Sequence, residues 1–181
     1  MAATIADRLA SPHLKRLSER LIAIQAKSSM KKPEFAEFIG ISGSQFRFVR
    51  RRLANPSIIM LANIAEKLEL PLYELLEHDK LRDRKDLSGA EMVENIGKIV
   101  TRCYRKSGMT KEEFADTLSL SLAQLYIITE GRSNPSLLVL VKIAKRLNIG
   151  VWELLGVKPM RRGGSGHHAV VTPLIDRRSN S

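Results

Sequence analysis

"FRFVRRRLANPS", residues 46–57, decides how this chain is read. It sets Arg47, Arg50, Arg51 and Arg52 within six positions and closes on Asn55, Pro56 and Ser57. Seventy-nine residues further on, "LYIITEGRSNPS", 125–136, has the same ending without most of the charge. Sliding the chain against itself by 79 positions aligns 17–76 with 96–155 without a gap. About 19 of roughly 60 pairs are identical. "KSSMKKPEFAEFIGIS" falls over "KSGMTKEEFADTLSLS", and "NPSIIMLANIAEKLELPLYELL" over "NPSLLVLVKIAKRLNIGVWELL". The match predicts a duplicated unit of about 60–65 residues.

Each copy reads as five short helices. In the second copy Ser88 with Glu91 forms a capping box, and Ile96, Ile99, Val100 and Cys103 make an apolar stripe that Gly108 ends. Thr110 with Glu113 opens a second helix, with Phe114, Ala115 and Leu118 inward. Ser121 caps the third, whose inner residues are Leu125 and Ile128 and whose stop is Gly131. Pro135 and Ser136 start the fourth, lined by Leu140, Ile143, Ala144 and Leu147; Trp152, Leu154 and Leu155 make the fifth. The first copy follows the same order, with Gly40 in the turn between its second and third helices. No period-two pattern of a strand is present, so the expected fold is all-α.

The chain of 181 residues has room for two such units. The expected plan is an N-terminal segment 1–13, a first domain 14–77, a charged linker 78–89, a second domain 90–157 and a tail 158–181. The linker's charge suits an extension of the preceding helix, and the Gly-, Ser- and Arg-rich tail has the composition of a disordered segment. A net charge of +11 favours a polyanionic partner, nucleic acid or an anionic membrane surface, against a merely basic solvated surface. No stretch approaches the ~20 apolar residues of a membrane span, and no apolar signal-peptide core is present at the N-terminus. That reading is of a cytoplasmic protein. Cys103 is the single cysteine, so no internal disulfide forms, and its apolar neighbours favour a structural thiol over a reactive one.

With those residues in hand, "MTKEEFADTLSLSLAQLYIITEGRSNPSLLVLVKIAKRLNIGVWELL" resembles the lambda-repressor-like (Xre/Cro type) helix-turn-helix family. The likeness covers about 60 residues of each copy: a capped second helix with Phe-Ala inside, a Ser-capped third helix, then the "EGRSNPS" and "LVKIAKRLNIGVWELL" segments in order. The resemblance implies two tandem five-helix domains, each with its second and third helices forming a reading head. It also implies a third helix that enters the DNA major groove, and a phosphate-touching loop after it.

The two third helices present different faces. On a 100° wheel Phe46, Val49 and Leu53 turn inward, while Gly43, Ser44, Arg47, Phe48 and Arg51 turn outward with Arg50 and Arg52 on the flanks. Arginine reads guanine through paired hydrogen bonds, which suits Arg47 and Arg51; Arg50 and Arg52 suit phosphate. Ser42 is expected among the DNA-binding residues, and Ser44 and Gln45 occupy positions where the family often places base-reading polar groups. Phe48 suits a thymine methyl or, equally, a protein contact. Lys32 stands where the family has a phosphate-contacting glutamine, and Ser57 opens a helix whose N–H groups suit phosphate. No acid occurs between residues 38 and 65, unlike an ordinary solvated helix that mixes Glu with Lys.

The second copy turns Leu122, Ala123, Tyr126, Ile127 and Glu130 outward. Apolar side chains read little of a base edge, and Glu130 repels phosphate. That face is expected to meet protein, as a homodimer seam or a surface for another regulator, unless linker or tail covers it. Lys142, Lys145 and Arg146 retain the option of weak phosphate contact. The function expected first is a sequence-specific regulator binding operator DNA, as a two-fold dimer with half-sites a whole number of ~10 bp turns apart. The alternative is a protein-interaction regulator, antiactivator or antitoxin-like, using the apolar face. No Ser, His and acid constellation supports an enzyme. His167 and His168 have no companions at ligand spacing, and no cofactor or metal is implied.

Overall fold

The computed structural model describes residues 4–76 and 87–157. Among them the regular elements are helices: α1 Ile5–Ala10, α2 Pro12–Lys27, α3 Lys32–Phe38, α4 Gly43–Arg50, α5 Ile58–Lys67, α6 Leu72–Leu76, α7 Gly89–Ser107, α8 Lys111–Leu118, α9 Leu122–Thr129, α10 Leu137–Arg146 and α11 Val151–Leu154. The fold is all-α. The chain divides into two compact units, Met1–Glu91 with Asn134–Val139, and Met92–Ser133 with Leu140–Ser181. No described helix is long and apolar enough to cross a membrane.

In the first unit, Ser11 accepts from the Leu14 N–H, and Pro12 takes the first helical position of α2, where a missing donor costs nothing. Helix α2 buries Leu14, Leu17, Ser18 and Leu21, the i, i+3, i+4, i+7 stripe of a helix with one inward face. It packs on α4 and α6. From α3 come Phe35 and Ala36, from α4 Phe46 and Val49, from α5 Ile58, Leu61 and Ile64, and from α6 Leu72, Leu75 and Leu76, all buried. The rings of Phe35 and Phe46 meet at 5.3 Å between centroids. Burying a side chain of this size removes ~2–3 kcal/mol of apolar hydration, so these positions decide how α4 is turned.

The N-terminal segment differs from the expectation. It carries α1, closed by a reciprocal capping box between Thr4 and Asp7, and α2 begins at Pro12, two residues before the expected domain start. At six residues α1 is too short to hold by propensity alone. Tertiary bonds fix it: Arg8 Nη1 donates to the Leu53 carbonyl at 2.6 Å. Ser88 caps α7 as expected, donating its N–H to Glu91 at 2.8 Å and accepting from the Glu91 N–H. Residues 78–86 of the expected linker and all of the expected tail, with His167 and His168, lie outside the described residues.

In the second unit, Met92, Val93, Ile96 and Val100 of α7 are buried with Phe114, Ala115 and Leu118 of α8, Leu125 and Ile128 of α9, and Leu140, Ile143 and Ala144 of α10. Ile99 and Cys103, expected in the same stripe, are only half-buried. Burial still pushes the Cys103 thiol up, which keeps it neutral and a poor nucleophile. Helices α4 and α9, and α5 and α10, have bounds that repeat at 79 residues. So do four left-handed backbone positions: Ser29 and Gly108, Gly40 and Ser119, Arg52 and Gly131, Glu69 and Asn148.

One helix crossing differs between the matched positions Ser18 and Gly97. Ser18 Oγ donates to the Arg50 carbonyl at 2.8 Å, tying α2 to the end of α4. In the second unit a Cβ on Gly97 would lie 2.7 Å from the Ile128 carbonyl oxygen and 3.1 Å from the Gly131 nitrogen. Both obstacles are backbone, so the helix itself must shift to admit a methyl. Gly97→Ala is expected to lower stability by about 1–3 kcal/mol. Urea unfolding should show it as a lower midpoint at unchanged slope.

Candidate nucleic-acid interface

Helix α4 is set by its cap. Ser42 Oγ accepts from the Gln45 N–H at 3.2 Å and Gln45 Oε1 accepts from the Ser42 N–H at 2.8 Å, so two orphan donors of the helix start are satisfied. The Ser42 and Ser44 hydroxyls share a hydrogen bond at 3.0 Å. With its oxygen engaged, Gln45 is left its amide NH2 to offer a base acceptor. Gly43, Ser44, Gln45, Arg47, Phe48 and Arg51 are exposed, while Phe46 and Val49 are buried. The wheel drawn from the sequence therefore matches the rotation of α4. Leu53, expected inward, is half-buried.

The four arginines are not equivalent. Arg47 and Arg51 project from the exposed face and have no ion-pair partner among the described residues. The Arg47 guanidinium carbon stands 5.6 Å from the centroid of the Phe48 ring, which is itself 45% exposed. Arg50 is half-buried, with its guanidinium 5.9 Å above Phe46 and its Nε without a hydrogen-bond partner in the structure. Arg52 is half-buried too, and its Nη1 reaches the Leu9 carbonyl, one of the orphan acceptors ending α1, at 3.4 Å. Lys32 is exposed at the first position of α3. Two residues absent from the sequence reading join this region. Phe38 ends α3 at 45% exposure, and Arg8 reaches the segment after α4. Arg8 gave no signal because its partner lies 45 residues away.

Ser57 requires a correction. It caps α5, but its hydroxyl also accepts from Asn134 Nδ2 at 3.0 Å. The Ile58 N–H donates to the Pro135 carbonyl at 3.0 Å, and the Ile59 N–H to Asn134 Oδ1 at 3.2 Å. The donors expected to meet phosphate at this helix start are thus already paired within the first unit. The pairing is reciprocal: Asn55 Nδ2 donates to Ser136 Oγ at 2.9 Å, the Leu137 N–H to the Pro56 carbonyl at 2.9 Å, and the Leu138 N–H to Asn55 Oδ1 at 3.1 Å. Ser57 and Ser136 form the isolated antiparallel bridge at its centre. The repeated Asn-Pro-Ser was the sequence signal for it, legible as identity but not as contact.

In the second unit, Ser121 and Gln124 cap α9 in the same reciprocal way. Its face is apolar: Ala123, Tyr126 and Ile127 are exposed, the last two by 41% and 42%, and Leu122 is half-buried. Lys111 Nζ lies 4.5 Å above the Tyr126 ring and donates to its hydroxyl at 3.2 Å. That hydrogen bond and the accompanying attraction hold the Lys111 ammonium above its ordinary pKa. Glu130 is not a bare charge, for Arg132 Nε donates to it at 2.7 Å. On α10, Lys145 and Arg146 are exposed, while Lys142 is half-buried and reaches the Ser119 carbonyl at 3.4 Å.

Two helices joined by a tight left-handed turn, the second of them Ser-capped, define the α8–α9 pair. Residues 102–151 match the helix-turn-helix family model. The match runs from within α7 to the first residue of α11 and contains α8 and α9 whole. A helix-turn-helix module is a DNA-binding regulatory one rather than a catalytic one. The matched span bears the apolar α9, not the arginine-bearing α4. No curated protein and no solved structure matches the chain.

Arg52 combines charge with backbone strain. It holds φ of 59° where the matched position is Gly131 at 66°. A non-glycine residue there costs roughly 1–2 kcal/mol, against roughly 0.5–1 kcal/mol for the freedom that glycine loses. Strain of this kind persists where a side chain is needed. Arg52→Gly is expected to raise stability by up to ~1 kcal/mol. Thermal melting of the variant beside the unmodified chain reads the effect.

Proposed function

We propose that the chain is a sequence-specific transcriptional regulator built from two helix-turn-helix domains, 14–77 and 90–157, whose first domain reads DNA through α4. The observation that carries this reading is the exposed face of α4. Arg47 and Arg51 stand on it beside Ser44, Gln45 and Phe48, with no acid in the surrounding sequence from 38 to 65. An unpaired, acid-free arginine face at the second helix of a helix-turn-helix suits the guanine edges and phosphates of a major groove. Arg47 and Arg51 read bases in this proposal, and Lys32, Arg50 and Arg52 meet phosphate. Bound in this way, the protein works in the cytoplasm on the nucleoid.

A second activity is favoured by the α9 face. Tyr126 and Ile127 are exposed large side chains, and the Glu130 charge is met by Arg132, which makes the surface apolar rather than repellent. Such a patch suits a protein partner, another regulator held beside the operator.

Selection of binding sites from random duplexes with the full chain tests the first reading. Arg47→Ala should cost about 1–3 kcal/mol and relax one base position. Arg50→Ala should weaken all sequences alike and make the salt slope shallower by about 0.9. Unchanged affinity in both variants would defeat the proposal. For the second activity, Tyr126→Ala with Ile127→Ala should leave operator affinity intact and abolish co-purification of a protein partner. A loss of DNA binding in that double variant would instead make α9 a reading helix.

A further inference from the structure

We infer that Arg47 and Phe48 act as one reading unit whose target is a guanine with a thymine in the neighbouring base pair. The inference rests on the reading proposed for α4 and begins from an aromatic in a costly place. Phe48 is 45% exposed, yet Ser44, one turn before it, and Arg51, one turn after it, are exposed and polar. The guanidinium carbon of Arg47 stands 5.6 Å from the centroid of its ring. A face that docks on protein gathers apolar side chains around its aromatic. The matched face of α9 does so, with Leu122, Ala123, Tyr126 and Ile127 where α4 has Gly43, Ser44, Arg47 and Phe48. One apolar group set among cations instead matches a polyanion that offers isolated apolar groups. In the major groove that group is the thymine C5 methyl, a contact that a Phe ring can take.

The place of the ring is fixed from both sides. Phe46 and Val49 are buried and set the rotation of α4. The Phe48 carbonyl accepts from the Leu53 N–H at 2.9 Å and from the Ala54 N–H at 3.3 Å, which ties the end of the helix to the segment after it. A ring with two side-chain torsions loses little entropy when it is ordered. The attraction of a guanidinium to a ring face then restrains the longer Arg47 side chain before any base is met.

Two hydrogen bonds to O6 and N7 lay a guanidinium in the plane of its guanine. Successive nucleotides of a strand rise by ~3.4 Å. A ring centred 5.6 Å from the guanidinium carbon, with its edge atoms nearer, therefore reaches the adjacent base pair. There it covers a methyl group. Cytosine in the same place would set its N4 donor against a ring that has no acceptor, and is disfavoured.

The test takes the full chain and its selected duplex, remade with deoxyuridine in place of single thymidines. Uracil lacks the methyl and pairs as thymine does. At the thymine beside the guanine that Arg47→Ala ceases to distinguish, uracil should weaken binding about four-fold, the worth of one methyl group. Phe48→Ala should bind the thymine and uracil duplexes alike. Arg47→Ala combined with Phe48→Ala should cost less than the two single variants added together. Equal affinity of the unmodified chain for the thymine and uracil duplexes overturns the inference, and this comparison needs no variant to fold. A selected site without thymine beside that guanine overturns it too, as does a Phe48→Ala chain that still prefers thymine, or strictly additive costs. If Arg47→Ala relaxes a base while uracil has no effect, α4 still reads DNA and the inference alone fails. If no duplex is bound at all, both fail.

Discussion

The contact between Phe35 and Phe46 governs what α4 shows to solvent. The two rings meet in the core of the first unit, and Val49, one turn on, is buried with them. A helix of eight residues fixed at two inward positions has no rotational freedom left. Its remaining side chains face outward by geometry, whatever their chemistry. That is why arginines are tolerated there in number: none is asked to enter the core, and the half-buried Arg50 lies over Phe46 instead of displacing it. The second unit meets the same requirement with Phe114, Leu125 and Ile128, all buried, so the apolar α9 is positioned without help from its outer face.

Separation of anchor from face explains how one helical plan supports two surfaces. The inward positions of α4 and α9 hold Phe or Leu and Val or Ile, substitutions close in volume that a core accepts. The outward ones exchange Arg47 for Tyr126 and Arg51 for Glu130. These exchanges reverse or remove charge at sites where solvent imposes little cost. The Lys111–Tyr126 contact and the Glu130–Arg132 pair show the second surface settling its own polar groups locally.

Local rules made most of the fold legible. Capping boxes at Ser88, Thr110 and Ser121, the buried stripe of α7 and the turn at Gly40 depend on neighbours within a few residues, and the sequence displays them directly. The outward sets on α4 and α9 followed from the same periodicity. What escaped was set by distant partners. Helix α1 depends on the Leu53 carbonyl, and Ser57, while it caps α5, also accepts from Asn134, 77 residues away. Arg52 in a left-handed conformation was hidden because arginine is not a residue that announces one; only its match to Gly131 does. The half-burial of Ile99 and Cys103 likewise depends on what packs beside α7, which periodicity does not specify.

The Asn-Pro-Ser pairing carries a further implication, for the order in which the chain folds. Its side-chain bonds join residues 75 to 83 apart in sequence, whereas the capping bonds of the helices span three. Closing a loop of some eighty residues costs on the order of 4 kcal/mol of chain entropy. Single hydrogen bonds return only about 1 kcal/mol each. No one or two of the six can therefore nucleate the pairing, and it forms as a cooperative set once the helices that flank it have shortened the effective loop. The pairing is thus a late step, and the slowest local opening of the folded chain should be sought elsewhere, in the cores around Phe46 and Phe114.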